Sequence, residues 1–323
     1  MTYAERVLPG ILAMVKGNAQ RARPTKGSGQ MLKKSLTVMF ALALATAMYA
    51  EGPSPELNNG RTHQMPTNAN ANVDFHAAGV GGSGNLVDHG GEVLTNAKVV
   101  YIFWGWASNT TDPYVAEIRS FRDDPNAMMA HIGMLAQYRS TGSTSLKGTQ
   151  PDVFDAVPPS QAKVTDAMVQ AKAAASCAAL SGGCKTDTIY EVFIPAGYYS
   201  DDGTGAQSCG GTNLQYCAYH GNGDGANLSA SIKYSIQPYP SCSGCHGLAG
   251  WTAYNDEEHF IVHETREAMT DARLNAWWDR AGYEADDKCA WGTNLKFLFS
   301  ETVSGHTYAY QQEYSNSARN CVK

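Results

Sequence analysis

The segment His263-Glu264-Thr265-Arg266-Glu267 sets two potential metal ligands four residues apart, with a carboxylate between them. Positions i and i+4 share one face of a helix, so His263 and Glu267 can hold one cation while Glu264 lies beside it, where a base acting on metal-bound water is needed. Glutamate is an acceptable zinc ligand, and the spacing is that of the zinc-peptidase pattern His-Glu-x-x-His with the second histidine replaced. His259 and Asp271 continue the row at the same step. A helix supplies only two or three ligands to one ion, so another must arrive from elsewhere; the candidates are Glu284 and Asp287 in GYEADDKCAW and His220 in YCAYHG. Two or three protein ligands plus water leave the open position that hydrolysis of a peptide or cell-wall substrate requires.

The same row has a plainer use. Acids near a helix start suit the macrodipole, and a His/Glu face paired with Arg266 and Arg273 can simply be solvated. Against this, Phe260, Ile261, Val262, Ala268 and Met269 are woven through the segment, which argues for a packed helix, and a buried acidic row without a cation is costly. Asn255 as N-cap with Glu258 three residues on predicts a helix from Asp256 to about Thr270.

Stepping outward, residues 97–106 (AKVVYIFWGW) form a β-branched and aromatic run suited to a strand buried on both faces. Residues 113–139 carry helical spacing interrupted near Pro125, which predicts a helix pair, and residues 160–180 predict an Ala-rich helix stopped by Gly182 and Gly183. Residues 186–194 and 229–236 read as strands, the second placed to edge a cleft before the acidic helix, and an irregular cysteine-bearing tail ends the chain. One α/β domain over residues 93–323 accommodates this order, with the Asn/Gly/Pro-rich residues 51–92 as a flexible arm.

Eight cysteines, all beyond residue 176 and even in number, suggest disulfides formed in an oxidising compartment. The spacing does not fix their pairing; closure of neighbours would join Cys177 to Cys184, Cys209 to Cys217, Cys242 to Cys245, and Cys289 to Cys321. Cys242-Ser-Gly-Cys245-His246 also matches the attachment pattern of c-type haem, but its Pro/Ser/Gly surroundings disfavour a haem pocket. SDDGTG from Ser200 and GNGDG from Gly221 could hold calcium, although turn chemistry accounts for both. Trp277, Trp278 and Tyr283 could line a sugar or peptide cleft, or simply pack.

The chain has 323 residues, 43% hydrophobic and 17% charged, enough to bury a sizeable core. Seven basic residues and one acid fall in the first fifty positions, leaving 17 basic against 29 acidic side chains from Glu51 on. So acidic a chain, without a Lys/Arg stripe, excludes nucleic acid and anionic membrane surfaces as partners. Residues 31–50 (MLKKSLTVMFALALATAMYA) have the layout of a secretory signal peptide cleaved after Ala47 or Ala50, with Met31 as the expected true start and residues 1–30 as an upstream extension. The apolar run is short of a membrane span, so the expected product is soluble and secreted, in an extracellular, periplasmic or cell-wall setting.

Several separated stretches resemble the EXORDIUM-like (phosphate-induced protein) family of secreted proteins and its bacterial relatives. They are HGGEVLTNAKVVYIFWG from His89, YCAYHG from Tyr216, IKYSIQPYPSC from Ile232, HETREAMTD from His263, NAWWD from Asn275 and YEADDKCAW from Tyr283. The family pattern falls on His263, Glu264, Glu267, Thr270, Asp271, Asn275, Trp277, Glu284, Asp287 and Cys289, with Ala272 where the pattern has proline. The resemblance implies export and an extracellular role, and brings no established reaction. Together with a zincin-like element order, the expectation is a single zincin-like α/β domain with a mixed sheet, packed helices and disulfide-bearing loops. The expected function is that of a secreted zinc-dependent hydrolase, most simply a peptidase; the alternative is a non-catalytic extracellular binding or signalling protein whose His/Glu/Asp cluster is a structural metal site or a hydrogen-bonded core network.

Overall fold

The computed structural model describes residues 62–68 and 84–323; the expected upstream extension and signal peptide lie outside the described residues. In chain order the elements are β1 Thr62–Pro66, β2 Val87–Asp88, β3 Lys98–Trp104, α1 Pro113–Asp123, β4 Val153–Asp155, β5 Lys163–Thr165 and α2 Asp166–Ala179. They continue with β6 Thr188–Ile194, β7 Tyr199–Asp201, β8 Tyr216–Asn222, β9 Lys233–Pro238, α3 Ala253–Thr270 and β10 Trp277–Trp278. The chain closes with β11 Leu298–Val303, β12 His306–Gln311, β13 Glu313–Ser315 and β14 Asn320–Val322.

Six strands form one mixed sheet in the order β1-β8-β9-β6-β3-β4. The β9-β6-β3-β4 pairs are parallel, whereas β8 runs antiparallel to β9 and β1 antiparallel to β8. The central parallel strands β3 and β6 are buried on both faces, so their sequences are runs rich in β-branched and aromatic residues. Alternation then sorts their side chains: Val99, Tyr101, Phe103, Ile189 and Phe193 pack with Ile118 and Phe121 of α1 and Ile261 and Val262 of α3. Val100, Ile102, Tyr190, Val192 and Ile236 pack on the other face with Val169 and Ala173 of α2. The result is a sheet with helices on both sides, a mixed α/β fold.

Several expectations need correction. Residues 62–66, inside the stretch read as a flexible arm, form a fully buried strand whose backbone is paired along β8. β9 is not the strand at the cleft edge, because β8 and β1 both lie outside it. Only the first half of the 113–139 helix pair is α-helical; Met128–His131 and Gly133–Tyr138 are 3-10 turns. The tail carries two antiparallel pairs, β11 with β12 and β13 with β14. α3 starts earlier than expected, with Thr252 as N-cap and the Asn255 side chain accepting from the Thr252 N–H.

Four disulfides brace the loops. Cys177–Cys184 and Cys289–Cys321 are paired as neighbour closure suggests, but the middle four cysteines pair as Cys209–Cys242 and Cys217–Cys245. β8 and the 3-10 turn after β9 lie side by side, so Cys217 meets Cys245 of that turn rather than Cys209 along the chain. With both of its thiols committed, Cys242-x-x-Cys245 has none for thioether attachment of haem. No helix among the described residues is long and apolar enough to cross a membrane.

Candidate metal centre

α3 is buried continuously from Asp256 to Thr270, charged residues included. Polar side chains so placed must each find a partner. Most do. Glu258 Oε2 accepts from the Ala309 N–H of β12 and from Asn255 Nδ2, and Thr265 Oγ1 donates to Glu191 of β6 at 2.6 Å. Arg266 pairs with Asp286 through Nε at 3.2 Å and also through Nη2, with Glu313 3.5 Å from Nε.

Three of the others, His263, Glu264 and Glu267, meet side chains of β1 and β8. His63 and His220 are opposite each other in the β1–β8 register, so their side chains share one face of the sheet, with ring centroids 5.7 Å apart. From α3 come His263, Glu264 and Glu267, and from the segment after β10 come Glu284 and Asp287. All seven side chains are at most 1% exposed. His263 Nε2 lies 3.1 Å from Glu267 Oε2 and 3.7 Å from Asp287 Oδ1. None of these three atoms has a hydrogen-bond partner. With metal–ligand bonds of about 2.0–2.1 Å, ligand atoms around a tetrahedral ion stand about 3.3 Å apart, so these separations are those of a ligand set. Glu267 is common to three groups of ligand atoms lying within 4.8 Å of one another, its companions being His63 with Glu284, His220 with Glu264, and His263 with Asp287. Its other oxygen is fixed by the Asp286 and Asp287 N–H groups at 3.0 and 2.9 Å.

The electrostatics describe a site short of positive charge. Burial pushes Glu264, Glu267 and Glu284 well above the usual carboxylate range, and their mutual repulsion and that of Asp287 add to it. Burial pulls His263 down and His220 well down, which keeps both neutral, the form that binds metal. His63 is different: burial opposes its charge, but Asp287 against Nε2 more than offsets this and raises it, while His63 in turn holds Asp287 low despite burial.

Of the candidates read from the sequence, His263, Glu264, Glu267, Glu284, Asp287 and His220 are brought together. His259 and Asp271 stand apart. His259 Nε2 lies 2.7 Å from Gln311 Oε1 and its ring meets Trp291 edge-on, while burial draws its pKa down to about 3. Asp271 closes α3, its Oδ1 accepting from the Asn275 and Ala276 N–H groups, and burial raises it to about 6. Three contributors carry no local signal: His63, a lone histidine in a polar stretch; Asp286, which matches Arg266; and Gln311, whose Oε1 faces His263 Nδ1 at 3.1 Å. A row of buried acids with one buried arginine could have prompted a search for the arginine's partner.

The weaker motifs resolve into local structure. Asp202 accepts from Thr204, Asp201 from the Gly203 N–H, and Asp224 from the Ala226 and Asn227 N–H groups, all turn contacts, while Asp202 also accepts from Gln64 Nε2 of β1 at 2.7 Å. Trp278 stacks on His89 at 3.6 Å and Trp277 packs on Tyr138, where β10 pairs with β2.

The centre therefore offers neutral imidazole nitrogens and unpartnered carboxylate oxygens at ligand spacing, a donor set that fits a divalent cation such as zinc. Comparison of the chain with protein-family models, with curated proteins and with solved structures finds no match, so the site's own chemistry is the basis for reading its function.

Proposed function

We propose that this chain is a secreted metal-dependent hydrolase of zincin-like design, with zinc held by His263, Glu267 and Asp287 and with Glu264 as the base. The observation that carries the reading is the convergence of His263 Nε2, Glu267 Oε2 and Asp287 Oδ1, three buried atoms without other partners, on a helix whose next residue after His263 is a carboxylate. When bound, the cation supplies Lewis acidity and lowers the pKa of water. Glu264 is suited to take a proton: Oε2 is held by His220 Nδ1 at 3.0 Å, Oε1 is free, and burial raises its basicity. The substrate class that the sequence suggests is a peptide or a cell-wall component, and the four disulfides suit an extracellular setting. The resemblance to the EXORDIUM-like family points to the same setting.

Complete burial of the centre favours a second reading, a non-catalytic extracellular binding or signalling protein in which the cation is structural. One experiment separates the two. The mature chain from Glu51, purified without a histidine tag, and its Glu264→Gln variant are compared for zinc content and for hydrolysis of a mixed peptide library. Equal zinc with hydrolysis only in the parent supports the hydrolase. Equal zinc with no hydrolysis in either supports the structural centre, and absence of zinc from both removes the metal from either account.

A further inference from the structure

Each of the three histidines commits one ring nitrogen to an acceptor and leaves the other bare. His263 Nδ1 faces Gln311 Oε1 at 3.1 Å, His63 Nε2 faces Asp287 Oδ2 at 2.5 Å, and His220 Nδ1 faces Glu264 Oε2 at 3.0 Å. His263 Nε2, His63 Nδ1 and His220 Nε2 have no hydrogen-bond partner, although all three side chains are at least 99% buried. A histidine held by a carboxylate or amide oxygen on one nitrogen and bare on the other is the arrangement that fixes a metal-binding tautomer.

The bare atoms fall into two neighbouring sets. His263 Nε2, Glu267 Oε2 and Asp287 Oδ1 form the first. The second is His63 Nδ1, which lies 3.4 Å from Glu284 Oε1, an atom itself without a hydrogen-bond partner. The two sets adjoin, because Glu267 also lies within 4.8 Å of the His63 and Glu284 ligand atoms. Asp287 joins them, with one oxygen in the first set and the other on His63.

Charge gives a second, independent reason. Arg266 answers Asp286 and Glu313. Glu264, Glu267 and Glu284 then remain as buried carboxyl groups beside the His63–Asp287 pair, with no lysine or arginine among the described residues paired to them.

We propose that the centre is binuclear. The second divalent cation is held by His63 and Glu284 with Glu267 as a shared carboxylate, beside the first at His263, Glu267 and Asp287. This deepens the metal-dependent reading above and rests on it. The second ion would give the site the paired cations that hydrolases of phosphate and peptide bonds use to clamp a substrate oxygen.

The test is stoichiometry. The mature chain is stripped with chelator, titrated with Zn²⁺, desalted and assayed for bound zinc by elemental analysis, with circular dichroism as the check on folding. The expected result is two equivalents for the parent and one for His63→Ala, with Glu284→Gln carrying the same test should His63→Ala fail to fold. One equivalent in the parent overturns the second site and leaves the first standing. Two equivalents that persist in both variants overturn the assignment to His63 and Glu284. No zinc in the folded parent overturns the metal reading altogether.

Discussion

His63 and Asp287 lie 2.5 Å apart, though 224 residues separate them in the chain. The pair joins the outermost strand of the sheet to the segment after β10, and with His220 and α3 it draws four separate pieces of chain to one point. A fold closed in this way depends on what neutralises the point of closure.

Chelation is therefore expected to lower the melting temperature. A ligand bound only by the folded state at one hundred times its dissociation constant adds about 2.7 kcal/mol, and for a domain of this size each kcal/mol moves the melting temperature by about 2–4 °C. Differential scanning fluorimetry of zinc-replete and chelator-treated protein should differ by about 5–10 °C. Coincident curves, with zinc demonstrably removed, would show that the fold does not lean on the cation.

Arg266 offers a prediction independent of metal. Its guanidinium is 2% exposed and is the cation that faces both Asp286 and Glu313. Arg266→Met keeps the volume but leaves two buried acids unmatched, and breaking a buried pair from one side costs about 3–5 kcal/mol. Urea denaturation at pH 7 measures this. A loss under about 1 kcal/mol would mean that Gln311, whose Nε2 donates to Asp286 at 2.8 Å, suffices alone.

The pH dependence of stability follows from Glu191 and Glu258, each pushed by burial from 4.5 up to about 8. The folded state holds these protons where the unfolded chain has released them, so stability falls as pH rises from about 4.5 toward 8. Glu191→Gln preserves the acceptor for Thr265 and removes the titration. The variant should match the parent near pH 4.5 and exceed it by on the order of 2–4 kcal/mol at pH 8. Parallel stability profiles for the two proteins would contradict the assignment.

Periodicity made α3 legible in the sequence, since apolar residues recur through HFIVHETREAMT, and β3 and β6 were legible as runs rich in β-branched and aromatic residues. The candidate ligands His263 and Glu267 followed from spacing on one helix, a local property. His63 was not legible because its role arises from strand pairing with His220, a contact between distant segments that no local pattern encodes. Residues 128–138 carry helical spacing yet form 3-10 turns, with Gly133 opening the second; two short turns satisfy the same apolar positions as a helix would. The pairing of the middle four cysteines was not legible for the same reason as His63, because segments distant in the chain lie side by side in the fold, whereas Cys177–Cys184 and Cys289–Cys321 followed from neighbour closure.

That pairing supplies the last prediction. Cys217–Cys245 closes a separation of 28 residues and Cys177–Cys184 one of 7. On loop entropy the first should contribute about 3.5 kcal/mol and the second about 2.5 kcal/mol, so Cys217→Ser/Cys245→Ser should be the less stable double variant. The single change Cys217→Ser has a different outcome. It frees the Cys245 thiol, which sits with the Cys209 and Cys242 sulfurs inside a group spanning no more than 4.8 Å. Thiolate attack on the Cys209–Cys242 bond then joins Cys245 to one of its sulfurs and releases the other as a thiol, with no net oxidation. Non-reducing peptide mapping of Cys217→Ser at pH 8 should show a mixture of Cys209–Cys242 with a Cys245-linked isomer, against Cys209–Cys242 and Cys217–Cys245 alone in the parent. A single species with an intact Cys209–Cys242 bridge would mean that the packing of Cys245 against the Tyr216 carbonyl at 3.8 Å holds its sulfur out of line for attack.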